Sequence, residues 1–124
     1  MLVKNNLEKL QFLARIKYDK LPNPEQEYHV YIRGKVKGEQ PRRIDFAWPD
    51  ILLAIEIEGG DIWRGKSRHT NGQGYINDMK KYNWLSKNGW TLLRYIWSGI
   101  DYEEIKEVYN QLIAVKNKIE EIKC

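Results

Sequence analysis

Two β-prone stretches of the chain carry three carboxylates between them, and that restricts the fold more than any other feature. One is Arg42-Arg43-Ile44-Asp45-Phe46-Ala47-Trp48 and the other is Leu52-Leu53-Ala54-Ile55-Glu56-Ile57-Glu58-Gly59-Gly60. Their neighbours are largely β-branched or aromatic, so both stretches read as strands. Side chains of a strand alternate between faces. Glu56 and Glu58 are therefore expected on one face, with Leu53, Ile55 and Ile57 on the other. Asp45 is expected opposite Ile44 and Phe46. Acids set inside apolar strands carry a large desolvation cost unless something neutralises them. A hard divalent cation such as Mg²⁺ does this well, because it prefers oxygen ligands. Asp45, Glu56 and Glu58 are thus the candidate metal ligands, and the chemistry they suggest is metal-assisted.

The length of 124 residues suits one domain, 1–124, with a core of its own. The sequence contains no apolar run long enough to span a bilayer, and its start does not read as an export signal. A single cysteine, Cys124, excludes a disulfide framework and fits a reducing cytoplasm. Lys and Arg total 21 against 17 Asp and Glu, a net charge of +4. If the strand acids hold a cation, the outer surface is more basic than that sum. A polyanionic partner such as DNA fits this balance.

Along the chain, Leu7, Leu10, Leu13 and Ile16 share a helical face, with Asn5 or Asn6 as N-cap and Leu21-Pro22-Asn23-Pro24 as the stop. A strand follows near Tyr28–Ile32, then the Asp45 strand, which ends at the turn Trp48-Pro49-Asp50, then the Glu56 strand. These three predict an antiparallel meander. The segment from Asp61 to Gly74 reads as a loop. A second helix is predicted from about Tyr75 to Lys87, closed by Gly89 at the left-handed C′ position. Trp90–Trp97 reads as a central buried strand, joined in parallel by the crossover. A last helix begins near Asp101. Its stripe of Ile105, Val108, Leu112, Val115, Ile119 and Ile122 predicts a helix that covers the sheet, with a dimer seam as the alternative.

The blocks Arg43–Pro49, Ala54–Gly60, Arg68-His69-Thr70 and Gly74–Asn83 together resemble the PD-(D/E)XK nuclease superfamily. They are most similar to small phage-type endonucleases related to Holliday-junction resolvases and the VRR-NUC group. The likeness spans about residues 25–97. It implies an α/β fold with a restriction-endonuclease-like core, in the order α-β-β-β-α-β-α, its mixed sheet flanked by helices. It also implies that Asp45 and Glu56 ligate Mg²⁺, with Mn²⁺ able to substitute, so that activated water attacks a phosphodiester. The superfamily usually places a lysine two residues after the glutamate, where this chain has Glu58. Glu58 is then a third ligand or general base, or the lysine's task has moved, with Lys81 on the second helix the obvious substitute. The alternative for Lys81 is a surface ion pair with Asp78, three residues away.

A further acid often completes such sites. Glu8 and Glu27 are the candidates, and Glu27 is preferred because it opens the first strand. Arg43, Arg64, Lys66, Arg68 and His69 are the candidate DNA contacts. Trp63 offers a face on which a base could stack, or an anchor for its own loop. The function implied is a Mg²⁺-dependent DNA endonuclease, structure-selective, with Holliday-junction resolution leading. Cutting two strands symmetrically would need a homodimer. Alternatives are a strand-nicking repair or restriction-type endonuclease, and a DNA-binding protein whose nuclease site has decayed.

Overall fold

The computed structural model describes residues 2–33, 39–59 and 72–123. Among these residues it is an α/β structure with three α-helices and one four-stranded mixed sheet. The elements run α1 (Leu2–Tyr18), β1 (Glu25–Arg33), β2 (Glu39–Trp48), β3 (Leu53–Ile57), α2 (Gly72–Lys87), β4 (Thr91–Tyr95) and α3 (Tyr102–Lys123). Among the described residues, the short 3-10 helices Pro49–Ile51 and Trp97–Gly99 interrupt this order and were not expected from the sequence pattern. By contacts the chain divides into two compact units, residues 25–99 and the two ends, 1–24 with 100–124.

In the sheet unit the strands lie in the order β1-β2-β3-β4. β1 and β2 are antiparallel, as are β2 and β3, and β4 lies parallel to β3 after the crossover through α2. β4 is thus an edge strand, and its residues are mostly half-buried rather than fully so. Its apolar run suggested a central position. The parallel crossover leaves it next to β3 with no strand beyond it among the described residues.

Val30, Ile44, Ala47 and Ala54 of the sheet and Leu85 of α2 form the core on the helix-covered face. Tyr28, Tyr82, Trp84, Trp90 and Leu92 pack around them. Ile44 and Ala47 are an odd number of residues apart, so strict alternation would separate them. The ladder between β1 and β2 skips the pair Glu27–Asp45, and Glu27 takes a left-handed backbone with φ of 49°. The alternation along β2 is thus broken beside this irregular pair. α2 ends in a Schellman turn, with the N–H of Trp90 on Leu85 O (3.0 Å) and that of Gly89 on Ser86 O (3.4 Å). Gly89 has φ of 79°, the conformation for which glycine was expected there.

In the other unit, α1 begins at Leu2, so Asn5 and Asn6 lie inside it rather than capping it. Its buried residues are Phe12 and Ile16, whereas Leu7 and Leu10 are exposed. Of the expected face of Leu7, Leu10, Leu13 and Ile16, Ile16 is buried and Leu13 half-buried, whereas Leu7 and Leu10 remain outside the buried face. The phenyl ring of Phe12 packs against the Tyr102 ring of α3 (5.9 Å between centroids), which turns the 12/16 face inward. Arg15 stacks on Tyr102 from the same helix (4.9 Å) and bonds Asp19 and Glu103. The helix closes in its own Schellman turn through Lys20, φ 64°, with Leu21 N–H on Ile16 O (3.1 Å).

Asp101 caps α3, its Oδ1 accepting from the N–H of Glu104 (3.0 Å). Only the start of the α3 stripe is covered. Ile105 and Tyr109 are buried, while Val115, Ile119 and Ile122 are exposed. The stripe is therefore not core cover over its whole length.

The inward face of α1 gives a direct test. Ile16→Ala should cost about 2–5 kcal/mol in urea unfolding, the range for emptying a buried aliphatic site. Leu10→Ala should fall within about 0.5 kcal/mol of the parent, as an exposed substitution does. Equal losses would put Leu10 back on the inward face with Ile16.

Candidate functional site

The antiparallel ladder between β2 and β3 holds for three residue pairs, Trp48–Leu53, Ala47–Ala54 and Phe46–Ile55, and then opens. Where it opens, side chains replace backbone partners. The N–H of Asp45 donates to Glu56 Oε2 (2.8 Å), and the N–H of Ile57 donates to Asp45 Oδ2 (2.7 Å). Each carboxylate thus caps a backbone donor of the opposite strand at the mouth of a fork. These bonds satisfy amides that the parting strands leave without a ladder partner.

Lys81 of α2 reaches into this fork. Its Nζ donates to Glu56 Oε1 and to the carbonyl oxygen of Arg43 (3.1 Å). Both members of the ion pair are buried. The alternative of a surface pair with Asp78 is therefore set aside. Lys81 lies inside the protein, and Glu56 is its partner. α2 can supply it because Asp78, Lys81, Tyr82 and Leu85 are spaced i, i+3, i+4 and i+7, a single helical stripe. The lower end of that stripe, Leu85, is in the core, so its upper end meets the carboxylates.

Burial, and next the negative charge of Asp45, hold the Glu56 carboxyl above its ordinary range, while Lys81 opposes both. Two acids and one ammonium thus share a poorly solvated pocket of the sheet. A shifted acid held in such a cluster is a candidate functional group.

Glu58 stands apart from that pair. Its Oε1 accepts from Nε of Arg94 on β4 (2.7 Å) and from the Tyr82 hydroxyl (3.2 Å), and Arg94 Nη2 completes the ion pair. The Arg94 guanidinium lies over the Tyr82 ring, 4.3 Å from its centroid. Burial and the neighbouring Glu58 push the Tyr82 phenol up, so it remains a neutral donor. Among the described residues no group of three or more His, Cys, Asp and Glu is placed to hold a metal ion. The structure brings together Asp45, Glu56 and Lys81, and gives Glu58 to a separate cluster.

Glu27 and Arg43 form an ion pair with each other, and both side chains are largely exposed. Glu8 lies on α1, half-buried, in the other compact unit. Arg64, Lys66, Arg68 and His69 lie outside the described residues.

Sequence reasoning did not select Tyr82, Arg94 or Asp78 as site residues. The stripe spacing on α2 was a usable signal for Tyr82 and for Asp78, which is buried. Arg94 becomes visible only through the parallel register, which sets it beside Glu56.

No protein-family model and no solved structure matches the chain. It is similar to two uncharacterized proteins of Mycobacterium tuberculosis, one from strain CDC 1551 / Oshkosh and one from strain ATCC 25618 / H37Rv. Each is 36% identical over 73 residues, which is 59% of this chain and 23% of the relative. The chain thus spans about a quarter of the length of these relatives. Among the described residues no helix is long and apolar enough to cross a membrane.

The raised Glu56 value fixes the sign of a pH effect. A carboxyl that is easier to protonate when folded contributes stability below its unfolded value of 4.5, and loses it as pH rises through the folded value. The stability of the parent minus that of Glu56→Gln, measured in chelator-treated buffer, should fall as pH climbs above 4.5. A difference that grows with pH would reverse the assignment.

Proposed function

We propose that the chain is a divalent-metal-dependent nuclease that hydrolyses phosphodiester bonds of DNA. The observation that carries this reading is the fork itself, where Asp45 and Glu56 face one another with Lys81 buried against Glu56. Two carboxylates are a fitting donor set for Mg²⁺, which commonly binds through one or two of them and keeps waters on its remaining positions. Mn²⁺, also an oxygen-seeking ion, is expected to substitute. When bound, the cation would polarise the phosphate and activate water for attack.

The chain's own residues divide the remaining work. Asp45 and Glu56 would hold the ion, and their hydrogen bonds to opposite strands keep both carboxylates oriented before it arrives. Lys81 brings a positive charge to the same place. It is suited to steady the charge that grows on the phosphate oxygens in the transition state. This gives Lys81 the task that the resembled superfamily usually assigns to a lysine two residues after the glutamate. The element order, with its antiparallel meander and parallel crossover, is compatible with the restriction-endonuclease-like core that the resemblance implies.

The substrate reading is branched DNA, with Holliday-junction resolution as the leading role and a homodimer supplying two sites. A domain this small has little surface for reading bases, so backbone contacts and shape should dominate. Such an enzyme would act in the cytoplasm, of a bacterial host if it is phage-encoded.

The deciding experiment is cleavage of a labelled four-way junction beside linear duplex, with and without Mg²⁺. Asp45→Asn and Glu56→Gln should each abolish cutting and leave DNA binding largely intact. An active Asp45→Asn protein would remove the metal-site assignment, and no cutting of either DNA by the parent would remove the nuclease reading.

Lys81→Met should lower the single-turnover rate constant by roughly 10²-fold or more, the scale for losing one transition-state donor, with a smaller effect on DNA affinity. Lys81→Arg should not restore the rate fully, because a planar guanidinium copies a compact ammonium poorly. An unchanged rate constant at saturating enzyme would leave Lys81 as a structural counter-ion alone.

A further inference from the structure

We propose that Arg94 is a binding residue for a DNA backbone phosphate, and that Glu58 and Tyr82 are positioning residues that hold it ready. This rests on the nuclease reading above and assigns Glu58 a role other than metal ligation.

An ordinary surface arginine carries a polar group on a long rotatable stem and loses that freedom when it grips a ligand. Arg94 has lost much of it already. One edge of its guanidinium is fixed by Nε and Nη2 on Glu58 Oε1, and one face is covered by the Tyr82 ring at 4.3 Å. The Tyr82 hydroxyl donates to the same Glu58 oxygen, so the carboxylate and the ring hold each other as well as the arginine. The side chain nevertheless remains 46% exposed, and its Nη1 takes no part in the bonds to Glu58. A fixed planar fork with an open side suits a phosphate oxygen.

Its location suits the same ligand. In the parallel register Arg94 is the direct partner of Glu56, so it stands on the neighbouring strand at the open end of the fork. A polyanion that approaches Asp45 and Glu56 meets like charge, and Asp78 of α2 is a third acid close enough to act on both Tyr82 and Arg94. Lys81 is buried against Glu56, so its charge acts from inside the site and not on the approaching strand. Arg94 can offset the repulsion from an exposed position, and its ion pair with Glu58 leaves that outer edge available.

Binding of a short labelled DNA duplex tests this, read by anisotropy over a range of salt in the Asp45→Asn background, where the strand stays whole. Arg94→Met should weaken binding several-fold and make the log–log salt slope shallower by about one unit, as expected for one lost phosphate contact. Arg94→Lys should recover the slope but only part of the affinity, since it keeps the charge and loses the fork.

The positioning role has its own sign. Glu58→Ala removes a negative charge, so simple electrostatics predicts tighter binding to DNA, whereas loss of positioning predicts weaker binding. Tyr82→Leu changes no charge and should also weaken binding, while Tyr82→Phe keeps the stacking face, loses only the bond to Glu58, and should fall between Tyr82→Leu and the parent. Thermal melts of each variant confirm that the fold persists.

An unchanged salt slope in Arg94→Met would overturn the phosphate contact. Tighter binding by Glu58→Ala would overturn the positioning role. If the parent neither binds nor cuts DNA with Mg²⁺ present, the nuclease reading fails and this proposal fails with it. If the parent cuts DNA while the Arg94 variants bind as it does, only this proposal fails.

Discussion

The site depends on a buried charge balance at the place where two strands part. β2 and β3 could have continued as an ordinary ladder. Instead the pairing stops after Phe46 and Ile55, and the carboxylates of Asp45 and Glu56 each accept from a backbone amide of the opposite strand. Hydrogen bonds to a charged acceptor are stronger than neutral ones, which helps such an opening survive within a sheet. They do not cancel the negative charge. That falls to Lys81, and removal of either partner would leave an uncompensated buried ion, among the costlier defects a protein can carry. The position of α2 on the sheet and the opening of the strands are therefore two sides of one constraint.

The same constraint explains the composition of the α2 stripe. A helix packed on a sheet normally presents apolar residues throughout. Here the stripe starts with Asp78, Lys81 and Tyr82 and turns apolar only at Leu85. The polar end lies over the fork, where there are charges to answer, and the apolar end lies over Val30, Ile44, Ala47 and Ala54. A single helix thus serves as core and as wall of the site. Rigid elements of this kind place side chains more accurately than loops do.

The strand acids were legible because they violate local pattern. Acids inside β-branched runs demand a partner, and the demand can be read without knowing the fold. Lys81 was singled out only through the resemblance, as a substitute for the lysine absent two residues after Glu56. The helix stop at Leu21-Pro22 and the turn glycine at position 89 were legible for a related reason, since only a few residues suit those backbone positions. What escaped depended on non-local geometry. Whether β4 lies inside the sheet or at its edge is decided by topology, and its apolar run fits both. The inward face of α1 was read only in part, with Ile16 placed rightly, because Leu7 and Leu10 satisfy helical spacing to Ile16 as well as Phe12 does. The ring of Tyr102, ninety residues later in the chain than Phe12, chooses between them. The Glu58–Arg94 pair was hidden likewise, because it needs the register of parallel strands.

Glu58 is the residue whose meaning changes most once its surroundings are known. Beside Glu56 on one strand face, it reads from sequence as another ligand. In the structure it lies with a cation and an aromatic ring, and the two glutamates have separate counter-ions, Lys81 for one and Arg94 for the other. Two acids on one strand face can coexist without a metal because each is answered from a different element, α2 or β4. That separation also leaves an asymmetry. The Glu56 pair is almost wholly buried, so another cation can take Lys81's place at the carboxylate only by rearranging the pocket. The Glu58 pair is open on one side, so a ligand can engage Arg94 while Glu58 still holds it. In the proposed nuclease, the buried pair would set the chemistry and the open pair would set the grip on the strand.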